Sequence, residues 1–217
     1  MDIGFGEGTF LELATGKGFD CVGVERFAIE RERSFQYFSV LDDVLKSFGA
    51  GSFDAITLWH SLEHLTDPGG CMADVCSLLS KNGSVFIAVP NFSSLQARLF
   101  ERDWLHLDVP RHMTHFSPIG LDNLLKRHGL KTVEVWHHES EYDIMGWSQS
   151  FLNKIFSKKN VFFNTLTGKA ANANGAEKAI HFVLGSVASI AAIPLVLLDI
   201  ATKRGGTIVI RVTKQSS

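Results

Sequence analysis

The chain has 217 residues, of which 45% are hydrophobic and 20% are charged. This length is enough for one α/β domain with its own core and one sizeable insertion. The formal net charge of -2 gives no reason to expect nucleic acid as a partner. The three cysteines show no pairing pattern, which favours reduced thiols and a cytoplasmic location.

The first stretch predicts a strand, a tight turn and a helix. A short apolar start reaches Asp2, glycines follow at Gly4, Gly6 and Gly8, and an apolar run with helical spacing begins at Phe10. Glycine is favoured where the backbone needs a positive φ or where a ligand approaches closely. The new helix offers unpaired N–H groups and the positive end of its dipole. We therefore expect a nucleotide-like cofactor at this turn.

The second predicted strand, residues 19–25, ends in an acid. Glu25 follows Gly4 by 21 residues. An acid at about this spacing, at the end of the second strand, accepts hydrogen bonds from ribose hydroxyls in nucleotide-binding folds. The alternative role is a solvated strand end. Residues 26–36 are charged and predict a helix.

Three further strands and a helix follow. Residues 38–40 predict the third strand, residues 51–59 the fourth and residues 84–91 the fifth, the last of them an apolar run typical of a sheet covered on both faces. Between the last two, Pro68 opens a helix that is expected to end at residues 81–83.

Strands and helices alternate, which predicts right-handed βαβ units in a doubly wound α/β sheet. Ligands bind such sheets at the carboxyl ends of the strands. The glycine turn, Glu25, Asp42, residues 59–64 and Asn91 all lie at those ends, so we expect them to form one site. Asp42 could equally be the N-cap of the next helix.

The sequence His60-Ser61-Leu62-Glu63-His64 matches the H-x-x-E-H motif of zinc peptidases. That motif needs a helix, on which both histidines face one metal ion, and a further ligand. Here it directly follows a strand. We therefore expect no metal site.

The glycine turn resembles the first motif, D-x-G-x-G-x-G, of class I S-adenosylmethionine-dependent methyltransferases. Gly8 and Thr9 depart from the G-x-G-x-x-G pattern of dinucleotide enzymes. The resemblance extends to about residue 137 and includes Glu25, Phe53-Asp54 and Leu62-Glu63-His64. It implies a Rossmann-like fold, here with a short first strand, and S-adenosyl-L-methionine as the cofactor.

The resemblance implies a role for each motif. Glu25 binds the ribose, Asp42 or a neighbour lies near the adenine, and residues 59–63 line the methionine end. Phe5 stands where the family often has a small residue, and we expect it to pack behind the turn. The cofactor-binding candidates are Asp2, Gly4, Phe5, Gly6, Gly8, Glu25, Arg26, Asp42, Trp59, His60, Leu62 and Glu63.

Residues 92–118 carry three histidines, of which His112 and His115 stand in a Pro-Arg-His…His-Phe-Ser segment. This segment resembles that of a bacterial methyltransferase group which includes relatives of quinone-biosynthesis enzymes. Histidine is suited to proton transfer at neutral pH. We predict that His112 or His115 orients or deprotonates the acceptor, with His64 as a further candidate. The alternative is that they only anchor the loop.

The C-terminal part contains a long insertion. Residues 117–128 predict a helix, residues 130–136 a sixth strand and residues 206–212 a seventh, which in the resembling family is antiparallel. Residues 138–205 lie between the last two strands and are far longer than a usual connection. We expect one methyltransferase domain over residues 1–217, with residues 138–205 as a helical, apolar and basic insertion.

The insertion raises the question of a membrane. Residues 182–198 form a run of 17 residues without a charge, which is short for a spanning helix, so a simple transmembrane span is not expected. Residues 151–205 contain seven Lys or Arg and two Asp or Glu, a balance of +5. Peripheral contact with anionic lipid at the inner face of the membrane, through residues 151–200, is one interpretation. A lid or a homodimer surface is the other.

The sequence therefore predicts a methyltransferase with a small or lipid-like acceptor, methylated on oxygen rather than carbon or nitrogen. Two alternatives remain. One is a non-catalytic or truncated cofactor-binding, membrane-associated module. The other is an NAD-dependent oxidoreductase, which the glycine spacing disfavours.

Overall fold

The computed structural model describes residues 1–26 and 33–215. The chain divides into two compact units. Unit 1 comprises residues 1–89, 119–135 and 210–217, and unit 2 comprises residues 90–118 and 136–209.

The described residues form a seven-stranded sheet with the order β3-β2-β1-β4-β5-β7-β6. Strand β1 is short and pairs in parallel with both β2 and β4. The strands are β1 Asp2–Ile3, β2 Val22–Val24, β3 Gln36–Phe38, β4 Phe53–Trp59, β5 Leu79–Pro90, β6 Leu130–Trp136 and β7 Thr207–Lys214.

The last strand, β7, is antiparallel to its neighbour β6. The Arg211 guanidinium binds the Glu134 carboxylate, and the Gln215 N–H donates to Gly129 O. The residue numbers of the partners therefore decrease along β6 as they increase along β7, so the two strands are antiparallel. Strands β2 and β3 pair in parallel, as do β4 and β5. The prediction of a Rossmann-like, mostly parallel sheet with an antiparallel last strand is confirmed.

Eight α-helices lie in the described residues, with short 3-10 turns at Leu62–His64, Glu101–Asp103 and Leu105–Leu107. The helices are α1 Thr9–Gly16, α2 Leu41–Ser47, α3 Pro68–Leu78, α4 Leu95–Phe100, α5 Pro118–Arg127, α6 Ser140–Ile155, α7 Val161–Leu166 and α8 Gly175–Thr202.

Helix α3 starts as the sequence predicts and ends earlier. Asp67 caps it by accepting the Gly70 N–H at 2.9 Å, and Pro68 occupies its first turn. The predicted end at residues 81–83 is wrong, because the buried Leu79 leaves the helix with extended backbone and pairs with Phe53 of β4. The burial of Leu79 against the sheet outweighs the glycine signal at residue 83.

The charged stretch after β2 differs in part from expectation. Residues 27–32 of the predicted helix lie outside the described residues. Residues 36–38 form strand β3, so the third strand begins two residues earlier than predicted and pairs with β2 through Gly23 and Tyr37.

The core of unit 1 positions the carboxyl ends of the strands. Ile56 and Leu58 of β4 and Val85 and Ile87 of β5 are fully buried. Complete burial of such a side chain contributes roughly 1.5–3 kcal/mol. Because β4 and β5 are fixed in register by this packing, the turn after Trp59 has a defined place beside β1.

Candidate active site

The turn after β1 can be built only from glycine at its first position. Gly4 has a φ of +81°, and a Cβ placed there would collide with Cβ of Ser61. Its N–H donates to Val24 O at 2.7 Å, and the Ser61 hydroxyl donates to Ile3 O at 2.7 Å. The turns after β1 and β4 therefore touch through a backbone that has no side chain in between.

Gly6, unlike Gly4, has open space where a Cβ would lie. Its φ is +54°, and no atom of the described residues comes within 4 Å of the place a Cβ would take. Its N–H donates to Glu25 Oε2 at 3.1 Å. The structure thus brings Gly6 and Glu25 together beside open space, at the carboxyl ends of β1 and β2.

Asp2 is buried beneath this turn. Its Oδ1 accepts the Thr57 hydroxyl at 2.5 Å, and burial raises its pKa above the usual value while that hydrogen bond opposes the rise. Phe5 is also buried and meets the Phe35 ring edge-on at 5.4 Å between centroids. As expected from the sequence, the Phe5 side chain packs behind the turn.

The end of β4 carries a strained residue. His60 has a φ of +50°, which is unusual for a residue with a side chain, and its N–H donates to Ala88 O at 2.9 Å. Leu62 and Glu63 are buried in the following 3-10 turn, with Glu63 Oε1 3.5 Å from His60 Nδ1. Trp59 is exposed at the strand end. Residues 60–64 thus form turns, so the helical geometry of a zinc peptidase motif is missing here.

Asp42 does not cap a helix. The N-cap of α2 is Val40, without a side-chain hydrogen bond, and Asp42 lies in the first turn. Its exposed carboxylate pairs with Lys46 at 2.7 Å, a contact that contributes little at the surface. The N-cap alternative is therefore wrong, and the role near the adenine remains a prediction. Arg26, directly after Glu25, is exposed.

Unit 2 holds the candidate histidines His112 and His115 in one loop. The buried His112 has Nδ1 2.7 Å from His106 O, and His115 has Nε2 2.9 Å from Leu107 O. A carbonyl can only accept, so each of these nitrogens carries a proton and the neutral ring has its lone pair on the other nitrogen. The two rings lie 6.4 Å apart between centroids. His64, the third candidate, belongs to unit 1 and is partly buried.

Asn91 was expected at the cofactor edge, and its contacts within unit 2 are structural. Its side-chain amide donates to Gly205 O at 2.9 Å and its Oδ1 accepts the Ser93 N–H at 2.9 Å. Its own N–H donates to Gly206 O at 2.8 Å. Its side-chain amide and its backbone N–H thus fasten the loop after β5 to the segment before β7.

Three polar residues with a clear part in these arrangements were not anticipated. Thr57 binds Asp2, Ser61 joins the two strand-end turns, and Asp108 places Oδ2 4.0 Å from His112 Nε2. Ser61 directly follows His60 in a stretch already assigned to the site, which is the one signal that could have singled it out. Small hydroxyl residues are too common for sequence to reveal their partners.

The sequence profile of a methyltransferase domain family matches residues 1–135. This covers more than half of the chain, and the chain therefore belongs to that methyltransferase family. It is a methyltransferase that uses S-adenosyl-L-methionine, which also decides against the NAD-dependent oxidoreductase.

Individual proteins that this chain resembles are also methyltransferases by name. The chain is 23% identical over 176 residues to a ubiquinone biosynthesis O-methyltransferase of Aromatoleum aromaticum, covering 74% of this chain and 71% of that protein. It also resembles a SAM-dependent methyltransferase of Archaeoglobus fulgidus, with a TM-score of 0.56, 21% identity, and coverage of 98% and 84%.

A third similar structure is Haemonchus contortus phosphoethanolamine N-methyltransferase 2, in complex with phosphomonomethylethanolamine and S-adenosylhomocysteine. Its TM-score is 0.58 at 16% identity, covering 99% of this chain and 48% of that one. At such identities these structural neighbours show the fold.

The glycine turn fits this cofactor. The space at Gly6 leaves room for a ligand against the backbone, and the Glu25 carboxylate beside it can accept from ribose hydroxyls. The start of α1 after Gly8 adds donor N–H groups. These features come from unit 1 alone.

We expect Gly6→Ala to fold and to lose cofactor affinity. Its methyl group would fill the open space at the turn, while the positive φ costs about 1–2 kcal/mol of stability. Calorimetric titration with S-adenosylhomocysteine should give a dissociation constant at least tenfold higher than for the unmodified chain.

Gly18→Ala is the matched control, because Gly18 also has a positive φ, +89°, and open space, but lies beyond the other end of α1. It should lose similar stability and keep its affinity. Equal affinity of the two variants would contradict the placement of the cofactor at Gly6.

Proposed function

We propose that this enzyme transfers a methyl group from S-adenosyl-L-methionine to a hydroxyl oxygen of a small, lipid-like acceptor. The observation that carries the proposal is the histidine loop, in which backbone carbonyls fix both His112 and His115. The names of the curated relatives, ubiquinone biosynthesis O-methyltransferases, support the choice of oxygen and of a quinone-like acceptor.

Methyl transfer is an in-line displacement at carbon. The acceptor oxygen forms a bond to the methyl carbon, the bond from that carbon to sulfur breaks, and the hydroxyl proton leaves to a base. The cofactor supplies an activated methyl group, so the protein has two tasks: to align the acceptor and to remove its proton.

His112 and His115 suit the second task in different ways. The His112 Nε2 would accept the proton, and the Asp108 carboxylate, 4.0 Å from it, would stabilise the imidazolium that results. His115 is partly buried and would present Nδ1. We assign the base to His112 and acceptor alignment to His115, with His64 as the further candidate.

The remaining predicted site residues are proposed to hold the cofactor. Gly6 would admit it against the backbone, Gly4 and Gly8 would shape the turn, and Glu25 would bind the ribose. The contacts among them within unit 1 support this assignment. Arg26 and Asp42 would lie towards the nucleoside, while Trp59, His60, Leu62 and Glu63 would line the methionine end.

We also propose a cytoplasmic enzyme that contacts the inner face of the membrane through residues 151–200. A lipid-like acceptor would be met there. The basic balance of the insertion supports this partner over a homodimer, because an anionic lipid surface attracts lysine and arginine.

The acceptor is tested with a matched pair of compounds. A polyprenylated catechol and the corresponding amine, in which the acceptor hydroxyl is replaced, would each be incubated with S-adenosyl-L-methionine. We expect methylation of the catechol oxygen and at least a hundredfold lower rate on the amine. Preferential methylation of the amine would contradict the proposal, and a folded chain that binds cofactor but turns over neither would favour the non-catalytic module.

The histidines are tested by kinetics on the same acceptor. We expect His112→Ala to lower kcat by about 10²- to 10⁴-fold, the usual contribution of a general base. His115→Ala should mainly raise KM. His128→Ala, a substitution of a histidine at the end of α5, is the control and should keep both constants. Wild-type turnover by both loop variants would rule out the assignment.

A further inference from the structure

Helix α8 extends beyond the uncharged run of residues 182–198 at both ends. It has 28 residues, and an 18-residue window has a mean hydropathy of 2.2 with only 22% of it buried. Asn174 and Glu177 form a capping box that starts the helix well before the uncharged run. With 28 residues, α8 is long enough and apolar enough to cross a bilayer, unlike the 17-residue run alone.

Only a narrow stripe of α8 is covered. Its buried residues are His181, Gly185, Ala192, Val196 and Asp199, whose spacing of three, four or seven places them on one face. That face packs against α6 and α7 of the same unit.

The contacts along this face define how the helices run. The Trp147 Nε1–H donates to Asp199 Oδ2 at 2.7 Å, and the Phe156 ring lies 4.4 Å from the His181 ring between centroids. The residue numbers of the partners decrease along α8 as they increase along α6, so the two helices are antiparallel. Gly185 lets the Phe162 ring of α7 lie directly on the helix backbone.

The uncovered faces of α8 are apolar. Eleven large hydrophobic side chains from Ile180 to Ile200 are exposed, Ile190 by 70% and Val187 by 61%. No charged residue occurs between Lys178 and Asp199. A monomeric protein rarely leaves a contiguous apolar surface of this extent in water.

Helix α6 also buries polar side chains and exposes apolar ones. Its buried face carries Asp143, Ser148, Gln149, Ser150 and Asn153 beside Gly146, Trp147 and Leu152, while the apolar residues at 151 and 155 are about half exposed. These polar groups pair inside the unit: Gln149 Nε2 donates to Asn153 Oδ1 at 2.8 Å. Burial raises the pKa of the Asp143 carboxyl to about 7.

A water-facing helix bundle buries its apolar side chains and exposes its polar ones. Here α6 buries five polar side chains and small residues of α8 lie at the helix contacts. Trp147, Ala192 and Val196 belong to a buried apolar cluster, but most of the large apolar side chains of α8 are outside. This is the distribution of helices in contact with lipid, where polar groups pair with one another and apolar groups face the acyl chains.

The lengths argue against a span. α6 has 16 residues, or about 24 Å at 1.5 Å per residue, which is short of the ~30 Å of a hydrocarbon core. If α8 crossed alone, the segment that leads into β7 would lie on the opposite side of the membrane from the residues before α8. This does not fit the structure, because the Arg204 and Gly206 carbonyls in that segment accept from the Leu95 and Asn91 N–H groups. An antiparallel pair of this size suits one leaflet.

The charges point to the kind of lipid. Lys178 stands near the start of α8, and Lys203 and Arg204 are exposed at its end. Lys154, on α6, is exposed as well. Basic residues at both ends of an apolar helix bind anionic headgroups of one surface when the helix lies in the plane of that surface.

We propose that α8 lies in the plane of an anionic leaflet and inserts its exposed apolar face at the boundary of headgroups and acyl chains. This rests on the membrane contact in the proposed function and specifies the element, the face and the lipid charge. The buried stripe of α8, from His181 to Asp199, stays packed on α6.

The test is co-sedimentation of the full chain with vesicles of phosphatidylglycerol and phosphatidylcholine, and with phosphatidylcholine alone. Ile190→Asp should weaken partitioning into the anionic vesicles at least tenfold, because an apolar side chain at the acyl boundary is replaced by a charge that the anionic surface repels. The matched control is Ile119→Asp, which changes a side chain 76% exposed on α5 and should leave partitioning unchanged.

Two further readouts keep the outcomes apart. Thermal unfolding should show equal stability of both variants, since both sites are exposed. Methylation of a short-chain, water-soluble catechol should be the same for both variants and the unmodified chain, so a failure of membrane binding is separate from a failure of the proposed reaction. Equal partitioning of the variants, or a dimer in vesicle-free solution that Ile190→Asp dissociates, would overturn the proposal.

Discussion

The close approach of Gly4 to Ser61 is the constraint on which the candidate cofactor site in unit 1 depends. Because Gly4 has no Cβ, the turn after β1 touches the turn after β4, and the Ser61 hydroxyl binds Ile3 O. This contact sets where Gly6 presents its open face, and Gly6 in turn meets the Glu25 carboxylate. A β1 strand of only two residues is therefore held on both sides by β2 and β4.

Much of unit 1 follows from local sequence. The glycine turn, the acid after β2 and the apolar strands could be predicted, because strand ends and glycine positions reflect short-range geometry. The family resemblance added the antiparallel β7. The end of α3 at Leu78 and the Ser61 contact could not be predicted, because both depend on pairing with residues distant in sequence.

Unit 2 was harder to predict, for a different reason. An uncharged run shows that a helix is apolar, but it does not show which of its faces is covered. The buried stripe through Gly185 and Asp199 emerges only when α6 and α7 are in place. The family match ends at residue 135, before α6 begins. The helices proposed for the membrane contact thus lie beyond the matched residues, whereas His112 and His115 lie within them.

The most direct test of the central claim is a crystal structure of the chain with S-adenosylhomocysteine. The account predicts the ligand against the Gly6 backbone, with ribose hydroxyls donating to the Glu25 carboxylate, at the carboxyl ends of β1 and β2. A ligand bound elsewhere on the chain, with the turn at Gly6 empty and Glu25 still on the Gly6 N–H, would contradict it.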